Sequence, residues 1–551
     1  MKRRELIKGL TILPLAGVVA GNSDSLLASA INDITGNVNS EGSSAIFDGS
    51  LKPGPAIYQS IGVEPVINCR GTFTIIGGSI ELAEVRAAMD SASRHFVQMD
   101  ELADAVGKRL AQLTGAEWGM VTAGCAAALK MATAACVAGG NPEKLHRIPD
   151  LSGLEKNEVI IPAESFSAYD FAIQNIGVKI IRVNTLEELR DALSSKTAMI
   201  KLSGGNLVPG PMGLEAIAAL AKPMNIPILA DAAAEILTIP NVHLQNGATM
   251  VAYSGGKAIC GPQCAGLLLG PKNILMSAWQ ASSPHHGPGR DNKVGREETL
   301  GMLAAVETWV KMDHAGREKN WMTWVNAIAS RMSAIEHVKT MIMEPKGINN
   351  RSASLTISWD PLKLHLSSSD LIQELINSKP RITVGAGRNT DNGMTSISIN
   401  ASQMQVGQDK IVGDRIFELL TKKRSPKTGS EMNTPAALIN GRWDLVVDYF
   451  SSKSDHMLYI EQDGNWIKGI HKTDFSTREI SGSIEGNEIK FLSPGRRPAV
   501  SYTFSGTLDG DIISGKIDMG EFLTASFTAR KNKAKADRVP IIFPTGRPMG
   551  N

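Results

Sequence analysis

Between residues 58 and 423, short, mostly apolar runs alternate with longer stretches in which apolar residues recur at helical spacing. The runs at 158–162, 179–183, 198–202, 227–230 and 266–269 have the length of buried strands, so the alternation predicts an α/β sheet with largely parallel strands. Near Lys346 the texture changes. Residues 354–359, 381–384 and 395–399 read as strands, with a helix at 369–378 between the first two, which predicts a small α+β lobe closing over the large one. After a polar joint at 424–434, helical periodicity nearly vanishes. Eight short strands are expected at 443–450, 457–462, 466–471, 480–484, 488–492, 501–508, 512–517 and 524–530, separated by Asp-Gly, Gly-Asn and Gly-Asp turns. The similar runs Ile480-Ser-Gly-Ser-Ile-Glu-Gly486 and Phe504-Ser-Gly-Thr-Leu-Asp-Gly510 suggest hairpins of an antiparallel barrel or sandwich, with Trp443, Tyr449, Tyr459, Trp466 and Phe475 facing inward.

The amino terminus has a different pattern. Lys2-Arg3-Arg4-Glu5-Leu6-Ile7-Lys8 precedes the apolar run 10–20 and then Ala28-Ser29-Ala30, giving a basic region, a short apolar region and small residues at a cleavage position. The run is too short to span a bilayer, so no membrane span is expected in the mature chain. The paired arginines resemble a twin-arginine export signal with Leu6 where Phe is usual; an ordinary secretory signal is the alternative. The expected organisation is an export signal at 1–30, a Ser/Asn/Gly-rich linker at 31–57, a large domain at 58–345, a small lobe at 346–423, a linker at 424–434, an all-β domain at 435–535 and a tail at 536–551. Export would place the protein in the periplasm.

Composition narrows the function classes. With 551 residues, 42% of them hydrophobic and 20% charged, the chain is an ordinary multidomain globular protein. A net charge of +2 advertises neither nucleic acid nor an anionic membrane as a partner. Five cysteines at irregular spacing do not make a disulfide scaffold or a zinc site, and no metal-binding string, nucleophile elbow or Walker-type loop is present.

Candidate chemistry gathers in three segments. Val251-Ala-Tyr-Ser254-Gly255-Gly256-Lys257 places a lysine on a tight glycine turn, suited to forming an imine; by itself it reads more simply as a surface lysine on a loop. Upstream, Ile226-Pro-Ile-Leu-Ala-Asp231 puts a carboxylate at the carboxyl end of a buried strand, where α/β sheets bind ligands. Val121-Thr122-Ala123-Gly124-Cys125-Ala126 gives a strand, a glycine turn and a helix start whose backbone N–H groups can approach a phosphate. Pyridoxal 5'-phosphate needs all three: a lysine for the Schiff base, a carboxylate to keep the ring nitrogen protonated, and a phosphate cradle.

With these segments in that order, the chain resembles the fold type I pyridoxal phosphate enzymes, within the group containing selenocysteine synthase and D-glucosaminate-6-phosphate ammonia-lyase. The resemblance runs from about residue 58 to 423. It is carried by Val66-Ile-Asn-Cys-Arg-Gly71-Thr72-Phe-Thr74, Met99-Asp-Glu-Leu102, Leu113-Thr-Gly-Ala-Glu117, Thr122-Ala-Gly124, Asp231-Ala-Ala, Ser254-Gly-Gly-Lys257, Gly261-Pro262-Gln263, Gly289-Arg290, Lys293-Val-Gly295 and Glu297-Glu298. It implies an α/β fold type I large domain with a small α+β lobe and a homodimer or higher homo-oligomer. It also implies Lys257 as the Schiff-base lysine, Asp231 as partner of the ring nitrogen, and Gly124, Cys125, Ala126 and Ser254 as phosphate contacts. Where the family often carries His and Arg ahead of Tyr169-Asp170, this chain has Ser165-Phe166-Ser167.

For an anionic substrate group, Arg290 and Lys293 on the glycine-broken loop are candidates, as are Arg381 and Arg388, which lie where the small lobe of this fold often supplies an arginine. The expected activity is chemistry at the α-carbon of an amino acid or amino sugar acid, with Lys257 and Asp231 catalytic and ammonia-lyase the leading outcome. A racemase, a selenocysteine synthase-like transferase and a non-catalytic binding protein are the alternatives.

Overall fold

The structure, a computed structural model, describes residues 50–387, 393–425, 432–495 and 500–533. The export segment, Arg388, most of the joint before the all-β domain and the tail lie outside the described residues. Residues 50–65 belong to a separate small unit whose one regular element is a 3₁₀ turn at Gln59–Ile61.

In chain order the first strands are β1 (Val66–Cys69), β2 (Trp118–Thr122), β3 (Glu158–Pro162), β4 (Lys179–Val183), β5 (Thr197–Ser203), β6 (Ile228–Asp231), β7 (Met250–Ser254) and β8 (Gly266–Gly270). All but β1 form one sheet in the order β2-β8-β7-β6-β5-β3-β4. Its centre is buried on both faces, which is why β8 reads as a continuous apolar run and β5, apart from Lys201, as a buried one rather than an alternating one. The strands from β3 to β7 pair in parallel, whereas β8 runs antiparallel to both β2 and β7. The reason is local: the connection 255–265 contains no helix to carry the chain back across the sheet, so β8 returns beside β7 in the opposite direction. The helix Gly124–Ala138, apolar nearly all round, is buried against this sheet.

The next strands, β9 (Val338–Met343), β10 (Ser354–Trp359), β11 (Arg381–Ala386) and β12 (Thr395–Asn400), make a second sheet with β1 in the order β1-β11-β12-β10-β9. The small lobe therefore draws β1 and β9 from outside 346–423, and its core also takes Trp321, Val325 and Ile328 from the helix His314–Met332.

The last eight strands, β13 (Gly441–Asp448), β14 (Lys453–Asp463), β15 (Trp466–Lys472), β16 (Thr477–Glu485), β17 (Glu488–Ser493), β18 (Tyr502–Asp509), β19 (Ile512–Asp518) and β20 (Thr524–Lys531), close into an antiparallel barrel, which resolves the choice between barrel and sandwich. Alternate residues point inward, and Trp443, Leu458, Ile484, Phe491, Phe504 and Phe527 fill the interior. The inward reading of the aromatics holds fully for Trp443, and Tyr449 packs partly against the core. It fails for Tyr459, Trp466 and Phe475. Tyr459 lies between the inward Leu458 and Ile460, Trp466 precedes the inward Ile467, and Phe475 sits in a turn, 98% exposed. Near the rim carrying the β15–β16 turn is a buried polar chain. His456 Nδ1 lies 3.0 Å from His471 Nε2, and His471 Nδ1 lies 2.9 Å from Ser493 Oγ.

Candidate active site

The carboxyl ends of the parallel strands assemble the site. Strand register sets Ser203 beside Asp231 and Asp231 beside Ala252, two residues before Ser254. Ser254 pairs across to Gly266, which also pairs with Thr122 at the end of β2. A Cβ on Gly266 would stand 2.5 Å from the carbonyl carbon of Gly124 and 2.7 Å from the amide nitrogen of Cys125, so only glycine lets β8 approach the helix start this closely. Gly124 itself has φ +83°, with open space where its Cβ would be. The preceding Ala123 supplies no side-chain cap, leaving the helix's first N–H groups free of one. Ser254 and 124–126 thus share one end of the sheet in a geometry suited to a phosphate.

Lys257 follows on the glycine turn. Gly255 N donates to Ala265 O at 2.8 Å and Gly261 N donates to Gly255 O at 2.9 Å, fastening the turn to the start of β8. Lys257 lines a cavity of about 400 Å³ together with Tyr169, Arg317, Arg351, Asn400 and Gln403. Its Nζ stands 5.9 Å from the centre of the Tyr169 ring. Asp231 lies close by: its Oδ1 is 3.5 Å from Cys125 Sγ and accepts from Ala233 N at 3.3 Å. Burial, with the Asp231 carboxylate beside it, pushes the Cys125 thiol well above its ordinary value, so Cys125 stays protonated and neutral.

Behind Asp231 lies a charged group with no motif to announce it. Lys201, fully buried on β5, has its ammonium 2.8 Å from Asp170 Oδ1 and 3.6 Å from Asp231 Oδ2. The same nitrogen donates to the Ser165 carbonyl at 2.8 Å and to Ser203 Oγ at 3.3 Å. Asp170 is held from its other side, where Ser167 N donates to Oδ2 at 2.7 Å. Ser165 and Ser167, which precede Tyr169-Asp170, therefore organise this pair. Ser165 also donates to Asn206 Oδ1 at 2.8 Å and accepts from Ser203 N at 2.8 Å.

Apart from Lys257, the cavity's cations, Arg70, Arg317 and Arg351, are not the ones singled out by sequence. Arg317 lies between the rings of Trp309 and Trp321, at 5.0 and 4.9 Å from their centres. Its Nε is buried and, among the described residues, without a hydrogen-bond partner. Burial lowers its pKa from the ordinary guanidinium value. Arg351 is committed to Glu318 through a two-pronged contact at 2.6 and 2.9 Å. Arg290, Lys293 and Arg381 are exposed and lie outside this lining: Arg290 reaches Ser283 Oγ at 3.1 Å, and Arg381 opens β11 beside Val66. Arg388 falls outside the described residues. Lys201 was detectable only as a lone charge inside an apolar run, and Arg317 only as one basic residue among several in a helix. Among the described residues, no cluster of three or more His, Cys, Asp or Glu is placed to hold a metal, and no helix is long and apolar enough to cross a membrane.

Comparison with known proteins identifies the family. The aminotransferase class-V family model matches residues 80–389. D-glucosaminate-6-phosphate ammonia lyase of Salmonella typhimurium is 29% identical over 291 residues, covering 51% of this chain and 76% of that protein. 5'-C-glycyluridine monooxygenase-decarboxylase of a Streptomyces species is 27% identical over 388 residues, covering 68% of this chain and 94% of that protein. A solved structure of D-glucosaminate-6-phosphate ammonia-lyase superposes with a TM-score of 0.59 at 26% identity, covering 66% of this chain and 98% of that one.

Proposed function

The chain belongs to the aminotransferase class-V family as a fold type I pyridoxal 5'-phosphate enzyme, and from that premise we propose that it is an ammonia-lyase for an anionic amino acid or amino sugar acid. The residues present fit the cofactor: open space at Gly124, a helix start without a side-chain cap, a strand-end carboxylate at Asp231 and a cavity-lining amine at Lys257. In this reading Lys257 holds the cofactor's carbonyl carbon, Asp231 faces its ring nitrogen, and 124–126 with Ser254 take its phosphate. When bound, the cofactor supplies an electron sink for a bond broken at the substrate's α-carbon. Lys257 is the amine placed to take a proton at that carbon and return one to the leaving group. Arg317 takes the substrate's anionic group, and Tyr169 covers the lysine. For a 2-amino-3-hydroxy acid, loss of the α-proton and the β-hydroxyl gives water and an enamine, and hydrolysis of the enamine gives a 2-oxo acid and ammonia.

The observation that carries the reading is Arg317, half-buried in the cavity that Lys257 lines and with its Nε lacking a hydrogen-bond partner among the described residues, together with the similarity to the ammonia lyase. The test is an aerobic screen of the reconstituted full chain against 2-amino-3-hydroxy acids and amino sugar acids, reading ammonia, 2-oxo acid, chirality and oxygen uptake. Ammonia and 2-oxo acid in equal amounts are expected. Inversion alone makes the enzyme a racemase. Oxygen uptake with loss of carbon dioxide supports a second reading, favoured by the similarity that spans 94% of the Streptomyces enzyme.

The proposal includes export to the periplasm, supported by Arg3-Arg4 and the apolar run behind them. It also includes a homodimer, supported by the exposed apolar side chains Phe73, Ile75, Ile80 and Phe96; light scattering checks it.

A further inference from the structure

We propose that Lys201 and Asp170 are positioning residues that fix the charge Asp231 presents to the cofactor's ring nitrogen. This rests on the reading that Asp231 faces that nitrogen. Three ionisable groups meet in a space closed to water: Asp170 and Lys201 have fully buried side chains, and Asp231 is 9% exposed. With all three ionised their sum is one negative charge, and a protonated ring nitrogen brings the sum to zero. Burial makes an uncompensated charge costly, so this count sets how strongly the site holds the ring's proton.

Geometry assigns the lysine's charge to Asp170. The ammonium is closer to Asp170 than to Asp231, 2.8 against 3.6 Å, and its bonds to the Ser165 carbonyl and Ser203 Oγ stop it from swinging further. Without Asp170, the same lysine would stand as the sole counter-ion of Asp231 and cancel it before any ligand arrived. The other groups near Asp231 leave the count unchanged. Cys125 is a neutral thiol, and Lys257 is taken up in holding the cofactor.

The test uses the full chain loaded with pyridoxal phosphate carrying ¹⁵N in the ring, reading the nitrogen's chemical shift and the cofactor's dissociation constant. Wild type is expected to show a protonated nitrogen. Asp170→Asn removes one negative charge and is expected to move the shift to the unprotonated range and weaken cofactor binding about tenfold or more, one pKa unit corresponding to a factor of ten. The double variant Asp170→Asn with Lys201→Met removes both partners of the pair, leaves Asp231 alone with its charge, and is expected to restore the protonated shift. Asp170→Glu, which keeps the charge, is expected to stay near wild type. If Asp170→Asn does not fold, Asp170→Ser makes the same charge change with a smaller side chain.

A merely structural pair would lose more in the double variant than in the single one. An unchanged shift in Asp170→Asn, or a double variant as impaired as the single, overturns the proposal. A wild-type nitrogen that is already unprotonated, or a borohydride-fixed label on a lysine other than Lys257, overturns the reading of Asp231 or Lys257 beneath it, and so separates the two failures.

Discussion

Acid should loosen the carboxy-terminal barrel well before the carboxylates of the chain are protonated. His471 is wholly enclosed, with His456 at 3.0 Å on one ring nitrogen and Ser493 at 2.9 Å on the other. Burial, reinforced by His456 and Arg478, pushes its pKa from 6.5 down to about 3, and burial also lowers His456. Between these two pH values the unfolded chain binds a proton that the folded barrel does not. Stability is therefore full above about pH 6.5 and falls as the pH drops towards 3, at about 1.4 kcal/mol per pH unit. From pH 6.5 to 5, His471 alone accounts for a loss of about 2 kcal/mol. His456 adds to the loss in the same direction, against a partial offset from Asp474, whose carboxylate lies 3.9 Å from His456 Nε2. Hydrogen exchange of barrel peptides in the intact protein, corrected for intrinsic rates, measures this directly. His471→Gln, which cannot ionise, should flatten the pH dependence. Equal protection of the barrel at pH 7 and pH 5 would refute the argument, because it would mean that the histidines are accommodated in their charged form.

Asp231→Asn should keep the cofactor on Lys257 yet lose turnover by roughly 3 to 4 kcal/mol, as read from single-turnover rates with the substrate found by screening. Gly266→Ala drives a methyl into the backbone of Gly124 and Cys125, so it should lower the melting temperature by an amount equivalent to about 1–3 kcal/mol and weaken cofactor retention, read by calorimetry and absorbance. Arg317→Met keeps an aliphatic stem between Trp309 and Trp321 but removes the charge. Its kcat/KM should fall by a factor equivalent to about 2 kcal/mol, with cofactor uptake unchanged. Replacing Arg3 and Arg4 with lysine should hold the precursor in the cytoplasm if the twin-arginine route is used, as fractionation will show.

Much of the architecture was legible because the signals are local. The apolar runs gave five strands of the large sheet, and the glycine turns marked both Lys257 and the Gly124 helix start. The barrel's eight strands were visible from their turns, but aromatic side chains suit either face of a strand, so only register could reveal that Tyr459 and Trp466 point outward. β1 escaped because it is four residues long and finds its partner, β11, from the far end of the enzyme domain. β9 escaped because most of its residues are exposed and lack a buried apolar stripe. Lys201 was hidden for a different reason. Its neighbours are those of an ordinary core strand, and its meaning depends on two carboxylates, Asp170 and Asp231, that the fold brings in from separate segments.

Closure of the β13–β20 barrel carries a consequence for recognition. Because β20 pairs back to β13, the sheet has no terminal strand with a free row of backbone donors and acceptors. A peptide cannot join this domain by extending its sheet, and two copies cannot fuse edge to edge. Side chains and connecting turns are what the barrel offers a partner. The turns are unequal: Phe450, Phe475 and Phe522 stand exposed in the connections at one rim, whereas the opposite rim turns through the short polar segments at Gly464, Gly486 and Gly510. The two ends of the barrel thus differ in chemical character even though its wall is one continuous ring.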